Sequence, residues 1–291
     1  MFHSGKELPV FLEDCFKQFR RFNPTMNIYF LTDHQYLGDP VFSRYEVDVR
    51  NKDDYYSNDI KHFEVLYGRG QNDFWTITTT RLFYISNFLN KEGLLDLIHL
   101  ENDVLIYEDL SKYEHTFQRL YKDLAITVGG PDKCMTGFLF IKHPQALSHM
   151  VNFFMTLLKT SRLKDIRQQY NTDMVNEMTL MRAYSKDWPD KMKFLPILPF
   201  GEFSVNYDQF NSIFDPASWG QFVGGTTDGI PGAKPDDHYI GQLLTEHPEY
   251  DVIWKQGIPY FRYVDKYWTN GTDIRINNLH IHSKNLNKYM S

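Results

Sequence analysis

The chain has 291 residues, of which 42% are hydrophobic and 23% charged, and its formal net charge at pH 7 is −6. This length suits one large α/β domain or two small ones with a substantial core. The acidic balance, with no basic stripe, excludes nucleic acid as an expected partner.

The sequence was also searched for a signal segment, a membrane helix and a cysteine framework. The amino end has no apolar signal segment, and no apolar run reaches the ~18 residues of a membrane helix. The sequence therefore predicts no membrane span and a cytoplasmic location. The two cysteines, Cys15 and Cys134, are far apart, which predicts neither a disulfide framework nor a zinc cluster.

The first hundred residues alternate between helical and extended patterns. Apolar spacing predicts an amphipathic helix over residues 8–22 and a buried strand over 27–32. A strand normally precedes such a helix, and only Met1–His3 are available to form it. We therefore expect this first strand to be very short or clipped. The following segments are predicted to be a loop over 49–73, a helix over 76–90 and a buried strand over 94–100.

The rest of the chain continues the α/β rhythm. No internal repeat and no linker divide it, which favours a single domain. The predicted elements are strands at 124–128 and 137–141, helices at 144–158 and 171–184, a short strand at 194–196, a Gly- and Asp-rich segment at 214–232, and strands near 252–254, 260–263 and 275–281.

An acidic pair carries the clearest chemical signal. Glu101 and Asp103 follow an apolar strand and are followed at once by apolar residues. Ligands of open α/β sheets lie at the carboxyl ends of strands, and two acids there can hold a hard cation that binds a diphosphate. The alternative is a polar turn. The apolar flanks favour burial, which requires a partner for each carboxylate.

Two histidines near the carboxyl end are further metal-ligand candidates. His280 and His282 are two apart on a predicted strand and so share a face. Imidazole suits Mn²⁺-like ions, and Lys284 can meet a diphosphate oxygen as a point charge. The alternative is a histidine satisfied by the surface or core.

Other polar residues are candidates for substrate contacts, for catalysis or for structural roles. Asp215 fits a helix N-cap, a sugar contact or a catalytic base. Asp173, in the first turn of a predicted helix, complements the helix dipole or binds a substrate. Arg81 suits a phosphate or sugar, or a surface ion pair. Asp33 suits a base or ribose, or a turn. Asp228 lies in a Gly-rich stretch that permits close backbone approach.

Several stretches resemble GT-A glycosyltransferases. Trp75–Tyr107 is similar to their DxD region, in which a helix with an arginine precedes a strand and the acidic motif. Glu101 stands for the first Asp, giving an ExD variant. Phe2–Gly5 and Tyr29–Asp33 resemble the nucleotide-binding start of that fold. Residues 214–225 are similar to its late Gly-rich segment, and 278–284 to its terminal His and Lys.

The resemblance implies an α/β fold of GT-A type, with a Rossmann-like, mostly parallel sheet flanked by helices. Residues 1–110 would form the nucleotide-binding half and residues 111–291 the acceptor-binding half of a single domain. Mn²⁺ or Mg²⁺ would be held by Glu101, Asp103 and, by analogy, His282. The remaining implied roles are contacts to the donor from His3, Asp33, Arg81, Asn102 and Lys284, and catalysis by Asp215, Asp228 or Asp173.

The implied reaction moves a sugar from a nucleotide diphosphate sugar to a hydroxyl of a glycan or another acceptor. A uridine donor is favoured over guanosine because a pyrimidine needs only a shallow pocket with one stacking ring, such as Tyr55 or Tyr56 offers. Asp33 could serve either base. Two alternatives remain open. A metal-dependent phosphoesterase or nucleotidyltransferase would use the same acids, and a non-catalytic carbohydrate-binding protein would need no metal.

Overall fold

The computed structural model describes residues 1–67, 73–171, 175–225, 238–263 and 272–291. Two predicted catalytic residues, Asp173 and Asp228, lie outside these ranges. Within them, no helix is both long enough and apolar enough to cross a bilayer.

Helices and strands alternate along most of the chain. The helices are α1 (Leu12–Phe22), α2 (Pro40–Arg44), α3 (Asn58–Tyr67), α4 (Asp73–Glu92), α5 (Glu114–Leu120), α6 (Pro144–Leu158), α7 (Arg162–Tyr170), α8 (Glu177–Asp187), α9 (Tyr207–Phe210), α10 (Ser218–Gly224) and α11 (Tyr239–Glu246). The strands are β1 (Ile28–Thr32), β2 (Val47–Asn51), β3 (Leu97–Leu100), β4 (Val104–Ile106), β5 (Leu124–Gly130), β6 (Lys133–Ile141), β7 (Met192–Phe194), β8 (Ser212–Ile213), β9 (Asp251–Lys255), β10 (Ile258–Tyr263), β11 (Thr272–Ile276) and β12 (Asn278–His280).

The strands form mixed sheets. Strand order is β1-β2 in one, β3-β6-β5-β7 in a second, β12-β4 in a third and β8-β11-β10-β9 in a fourth. Phe2 makes one parallel bridge to Leu31, so the expected first strand is indeed very short. The fold is α/β, with parallel pairs and flanking helices.

The balance of strand directions differs from the mostly parallel sheet that the sequence predicts. Among the described strands, three pairs are parallel and five antiparallel. Part of the reason is the tight connection between β5 and β6, because so short a link can only make an antiparallel hairpin.

The predicted loop over 49–73 is wrong. Its described part contains the end of β2 and all of α3. Ile60, Phe63 and Tyr67 are buried on one face of α3, and the Phe63 ring lies 4.7 Å from that of Phe83 on α4. Tertiary packing thus makes a helix of a stretch whose polar and aromatic composition resembles a loop.

The predicted helix over 171–184 begins later than expected. Asn171, its predicted first residue, instead follows the end of α7 in a left-handed conformation, with φ of 47°. Asn is among the few residues that tolerate this conformation at a helix end. Helix α8 begins at Glu177, with Asn176 as its N-cap.

Two apolar cores cover opposite faces of β1 and β3. Leu31 belongs to the core built around α4 and α6, whereas Ile28 and Phe30 belong to the core that contains α1 and α5 residues. Alternate residues of a strand point to opposite faces. Both faces of this central region are therefore covered.

Candidate metal centre

The acidic pair lies in a turn between two sheets. Strand β3 ends at Leu100 and β4 begins at Val104. Strand β12 runs antiparallel to β4 and places His280 opposite Val104, and the Ile281 N–H donates to the carbonyl of Asp103 at 2.9 Å. Strand register therefore carries a histidine from the far end of the chain to the acidic turn.

Glu101, Asp103 and His280 form a compact group. One ligand atom from each lies within 4.8 Å of the others. The Nε2 atom of His280 is 3.0 Å from Oδ2 of Asp103 and 3.3 Å from Oε2 of Glu101. Two carboxylates and one imidazole are a ligand set that Mn²⁺ and other divalent ions accept.

Two basic side chains contact this group, one at each carboxylate. Lys284 contacts the Asp103 carboxylate and keeps 41% of its side chain exposed. Arg81 is more deeply buried and contacts Oε1 of Glu101. It also donates to the hydroxyl of Thr136 at 2.7 Å. The Oε2 atom of Glu101 thus remains turned toward His280, while Arg81 occupies the other oxygen.

The charges set the protonation of the acids. Burial raises the pKa of Glu101, but Arg81 and His280 outweigh it and bring this pKa to about 2. Burial acts the same way on Asp103, and His280 and Lys284 hold its pKa well below the usual range. Both carboxylates are consequently charged near neutral pH, as metal ligands must be.

Two glycines leave room for the histidine. A Cβ atom at Gly137 would lie 2.8 Å from Nδ1 of His280, and one at Gly220 would lie 2.0 Å from the carbonyl oxygen of His280. Both distances are shorter than non-bonded contacts allow. These positions therefore need glycine to admit the ring and backbone of His280.

The structure places His280, and not the favoured His282, in the group. Strand β12 ends at His280, so the two histidines do not share a strand face. The His282 ring lies 4.3 Å from that of His280, and its Nδ1 accepts from the Gln221 amide at 2.8 Å. Burial and the neighbouring His280 lower the pKa of His282 to about 3, which leaves this ring neutral.

Asp215 contacts the backbone of His280, the histidine of this group. It is 1% exposed, and its carboxylate accepts from three backbone N–H groups, those of Trp219 at 2.8 Å, Gly220 at 2.9 Å and His280 at 2.8 Å. These contacts satisfy two backbone N–H groups in the first turn of α10 and hold the backbone of His280 in place. Asp215 therefore accepts from the first turn of α10, although the N-cap residue itself is Ala217. The catalytic role of Asp215 stays a prediction.

The predicted donor contacts at the amino end form a second polar cluster. Asp33, which follows β1, lies 2.9 Å from Nζ of Lys52 and accepts from the Gly5 N–H at 3.0 Å. His3 lies nearby, and burial lowers its pKa. The Asn102 amide donates to the Phe2 carbonyl at 3.1 Å and so ties the acidic turn to this amino-terminal segment.

The two tyrosines predicted to line a base pocket lie in different environments. Tyr55 is buried, and its hydroxyl donates to Glu92 at 2.9 Å, which places it in the core. Tyr56 is 46% exposed, and its ring lies 6.2 Å from that of Tyr84. Of the two, only Tyr56 presents a ring to solvent.

Sequence reasoning missed two charged residues near these clusters. Glu177, at the start of α8, lies 3.6 Å from Arg81 and accepts from the Thr78 hydroxyl at 2.9 Å. Lys52 joins Asp33 and donates to the Ser4 hydroxyl at 2.8 Å. The available signal for Glu177 was an Asn, a favoured N-cap residue, followed by an acid in the first turn of a helix. No local pattern marks Lys52.

Comparison with known proteins adds little. No family model matches the chain, and no curated protein matches it. Among solved structures, the apo form of mouse xyloside xylosyltransferase 1 is similar, with a TM-score of 0.49 and 8% identity over 67% of this chain and 83% of that one.

Proposed function

We propose that this protein is a divalent-metal-dependent glycosyltransferase that takes a sugar from a nucleotide diphosphate sugar and transfers it to a hydroxyl. The observation that carries the proposal is the group of Glu101, Asp103 and His280 directly after β3. A lysine with an exposed side chain, Lys284, stands beside it. A diphosphate needs this combination of a cation site and a nearby positive charge.

The ligand chemistry suits Mn²⁺ or Mg²⁺. Glu101, Asp103 and His280 would hold the ion through oxygen and imidazole ligands, with both carboxylates already charged. The bound ion would neutralise charge that builds up on the leaving diphosphate. Arg81 orients Glu101 by occupying its other oxygen, and a fixed ligand improves metal affinity.

The chain's other groups have defined tasks in this proposal. Lys284 leaves the Asp103 carboxylate to meet a diphosphate oxygen when the donor binds. The cluster of Asp33, Lys52 and His3 binds the nucleoside end, and the exposed ring of Tyr56 offers a stacking surface. We retain the expectation of a uridine donor. A catalytic base from Asp173 or Asp228 stays a prediction.

The rival enzyme class is a two-metal phosphoesterase or nucleotidyltransferase. Two-metal sites use a tight cluster of carboxylates around both ions. Within the ranges described above, one group of three candidate ligands is found, and it contains two carboxylates. This composition favours a single ion and therefore the transferase.

The test is a panel of nucleotide sugars with purified protein, with and without Mn²⁺, in which release of the nucleoside diphosphate is measured. We expect release from a uridine diphosphate sugar that requires Mn²⁺ and increases when a hydroxyl acceptor is added. Release of inorganic phosphate or a nucleoside monophosphate would favour the rival class. Metal-independent sugar binding without turnover would favour a carbohydrate-binding protein.

The base is tested by calorimetric titration with uridine diphosphate and guanosine diphosphate in the presence of Mn²⁺. We expect uridine diphosphate to bind more tightly. Tighter binding of guanosine diphosphate by more than about 1.4 kcal/mol, which is tenfold in affinity, would overturn the choice of uridine.

A further inference from the structure

A further buried carboxylate, that of Glu177, lies next to the metal centre but outside its group of candidate ligands. Glu177 begins α8, and its side chain is 4% exposed. The Asn176 side chain caps this helix by accepting from the Thr179 N–H at 3.2 Å, and the first turn of a helix favours a negative charge. Burial raises the pKa of Glu177, and the positive charge of Arg81 lowers it. The charged form of Glu177 therefore depends on Arg81.

Helix α4 contacts both oxygens of the Glu177 carboxylate. Thr78 and Arg81 are three residues apart on α4 and so share one of its faces. The Oε2 atom of Glu177 accepts from the Thr78 hydroxyl at 2.9 Å, and its Oε1 atom lies 3.6 Å from Nη2 of Arg81. The Thr78 hydroxyl thus orients the carboxylate so that its other oxygen faces the guanidinium.

One nitrogen of Arg81 serves two carboxylates. Besides Glu177, its Nη2 atom contacts Oε1 of Glu101, and it donates to the Thr136 hydroxyl at 2.7 Å. Burial lowers the pKa of Arg81, but Glu101 and Glu177 outweigh it and raise this pKa above its usual range. Solvent screens such a buried group only weakly. The attraction of Arg81 to Glu177 therefore limits how tightly Arg81 holds Glu101.

The balance of charge at the metal centre also depends on Glu177. Each of the two ligand carboxylates, those of Glu101 and Asp103, contacts one basic side chain, that of Arg81 or Lys284. These opposite charges cancel, which would leave little net attraction for a cation. Because the charge of the surrounding carboxylates tunes cation affinity, the negative charge that Glu177 adds favours the binding of a divalent ion.

We propose that Glu177 is a positioning residue that acts as the counter-ion of Arg81 and thereby frees the charge of Glu101 for a divalent cation. The inference rests on the proposed function, because it takes Glu101 as a ligand of that ion. Glu177 is not itself a ligand. It acts through Arg81, by drawing the guanidinium away from Glu101 and by offsetting its positive charge when the ion binds.

The test is a Mn²⁺ titration of the full chain in the presence of uridine diphosphate, read by the loss of the free-ion paramagnetic resonance signal. Glu177→Gln keeps the volume of the side chain and removes its charge. Glu108→Gln is the matched control, because Glu108 is also buried and lies 3.1 Å from an arginine, Arg275, but at the opposite end of β4 from Asp103. Urea unfolding is measured on each variant.

We expect Glu177→Gln to weaken Mn²⁺ binding by about 10- to 100-fold, the range for groups that support a metal ligand. Glu108→Gln should lose stability but keep Mn²⁺ affinity within about twofold, because distant sites act independently. In an Arg81→Met background, Glu177→Gln should change the affinity by about threefold or less, because its effect passes through that arginine. If Glu177→Gln does not fold, Thr78→Val removes only the hydroxyl that orients Glu177 and should weaken binding by about threefold or more.

Unchanged Mn²⁺ affinity in Glu177→Gln, or in Thr78→Val if that variant replaces it, would overturn the inference and leave the metal centre in place. An equal loss in Glu108→Gln would also overturn it, by showing a general effect of stability. An equal loss with and without Arg81 would overturn the action through this arginine. Absence of Mn²⁺ binding to the unsubstituted chain would overturn the metal centre and this inference together, whereas Mn²⁺ binding without sugar transfer would contradict the transferase alone.

Discussion

Two buried aspartates beside His280 have opposite electrostatic environments. Asp103 is 5% exposed, and its partners are the basic side chains of His280 and Lys284. Asp215 is buried still more deeply, and its carboxylate accepts from three backbone N–H groups. Burial raises the pKa of both, but the cations hold that of Asp103 far below its usual range, whereas that of Asp215 rises to about 6. Burial alone therefore does not identify a functional carboxylate, and the type of partner does.

The two aspartates nonetheless act on one histidine. Asp103 contacts the ring of His280, and Asp215 accepts from its backbone N–H at 2.8 Å. One carboxylate thus belongs to the proposed metal site, and the other holds the strand end that delivers the ring to it. This division predicts that the same substitution at the two positions has different consequences.

The largest effect is expected for Asp103→Ala. Loss of a metal ligand should lower Mn²⁺-dependent sugar transfer by at least about 100-fold, the scale of removing one group that stabilises a transition-state charge. The variant should still fold, because Lys284 can turn to water and His280 keeps Glu101, although removing one partner of a buried ion pair can cost up to about 3–5 kcal/mol. Turnover is measured at saturating donor, and urea unfolding is measured in parallel. Near-normal turnover with Mn²⁺ present would remove Asp103 from the site.

A smaller effect, on stability, is expected for Asp215→Ala. The substitution leaves three buried N–H groups without an acceptor, and one such group costs about 1–3 kcal/mol. We therefore expect the free energy of unfolding to fall by about 3 kcal/mol or more. Transfer per folded molecule should stay within about tenfold of the unsubstituted protein, because no ligand is removed. A variant that keeps full stability but loses transfer would instead support Asp215 as the catalytic base.

The sequence alone predicts the acidic half of the site. The apolar residues before Glu101 and after Asp103 indicate a buried turn at a strand end, and the structure has that turn between β3 and β4. Local periodicity is sufficient there because the acids and their strands are adjacent in the chain.

The choice between His280 and His282 does not follow from local pattern. It depends on where β12 ends and on its register with β4, which brings His280 opposite Val104. Lys52 similarly reaches Asp33 because β1 and β2 run side by side. Long-range pairing of this kind leaves no periodic signal in the sequence, and the same reason explains the unforeseen antiparallel pairs β4–β12 and β3–β6.

The most direct test of the metal centre is a Mn²⁺ titration of the unsubstituted chain, His280→Ala and His282→Ala, read by the loss of the free-ion paramagnetic resonance signal in the presence of uridine diphosphate. The unsubstituted chain should bind one Mn²⁺ per molecule. His280→Ala should weaken binding by more than 100-fold, beyond the 10- to 100-fold range typical of groups that only support a ligand, and His282→Ala should weaken it by about tenfold or less. Unchanged Mn²⁺ affinity in His280→Ala, or no stoichiometric binding to the unsubstituted chain, would contradict the metal centre.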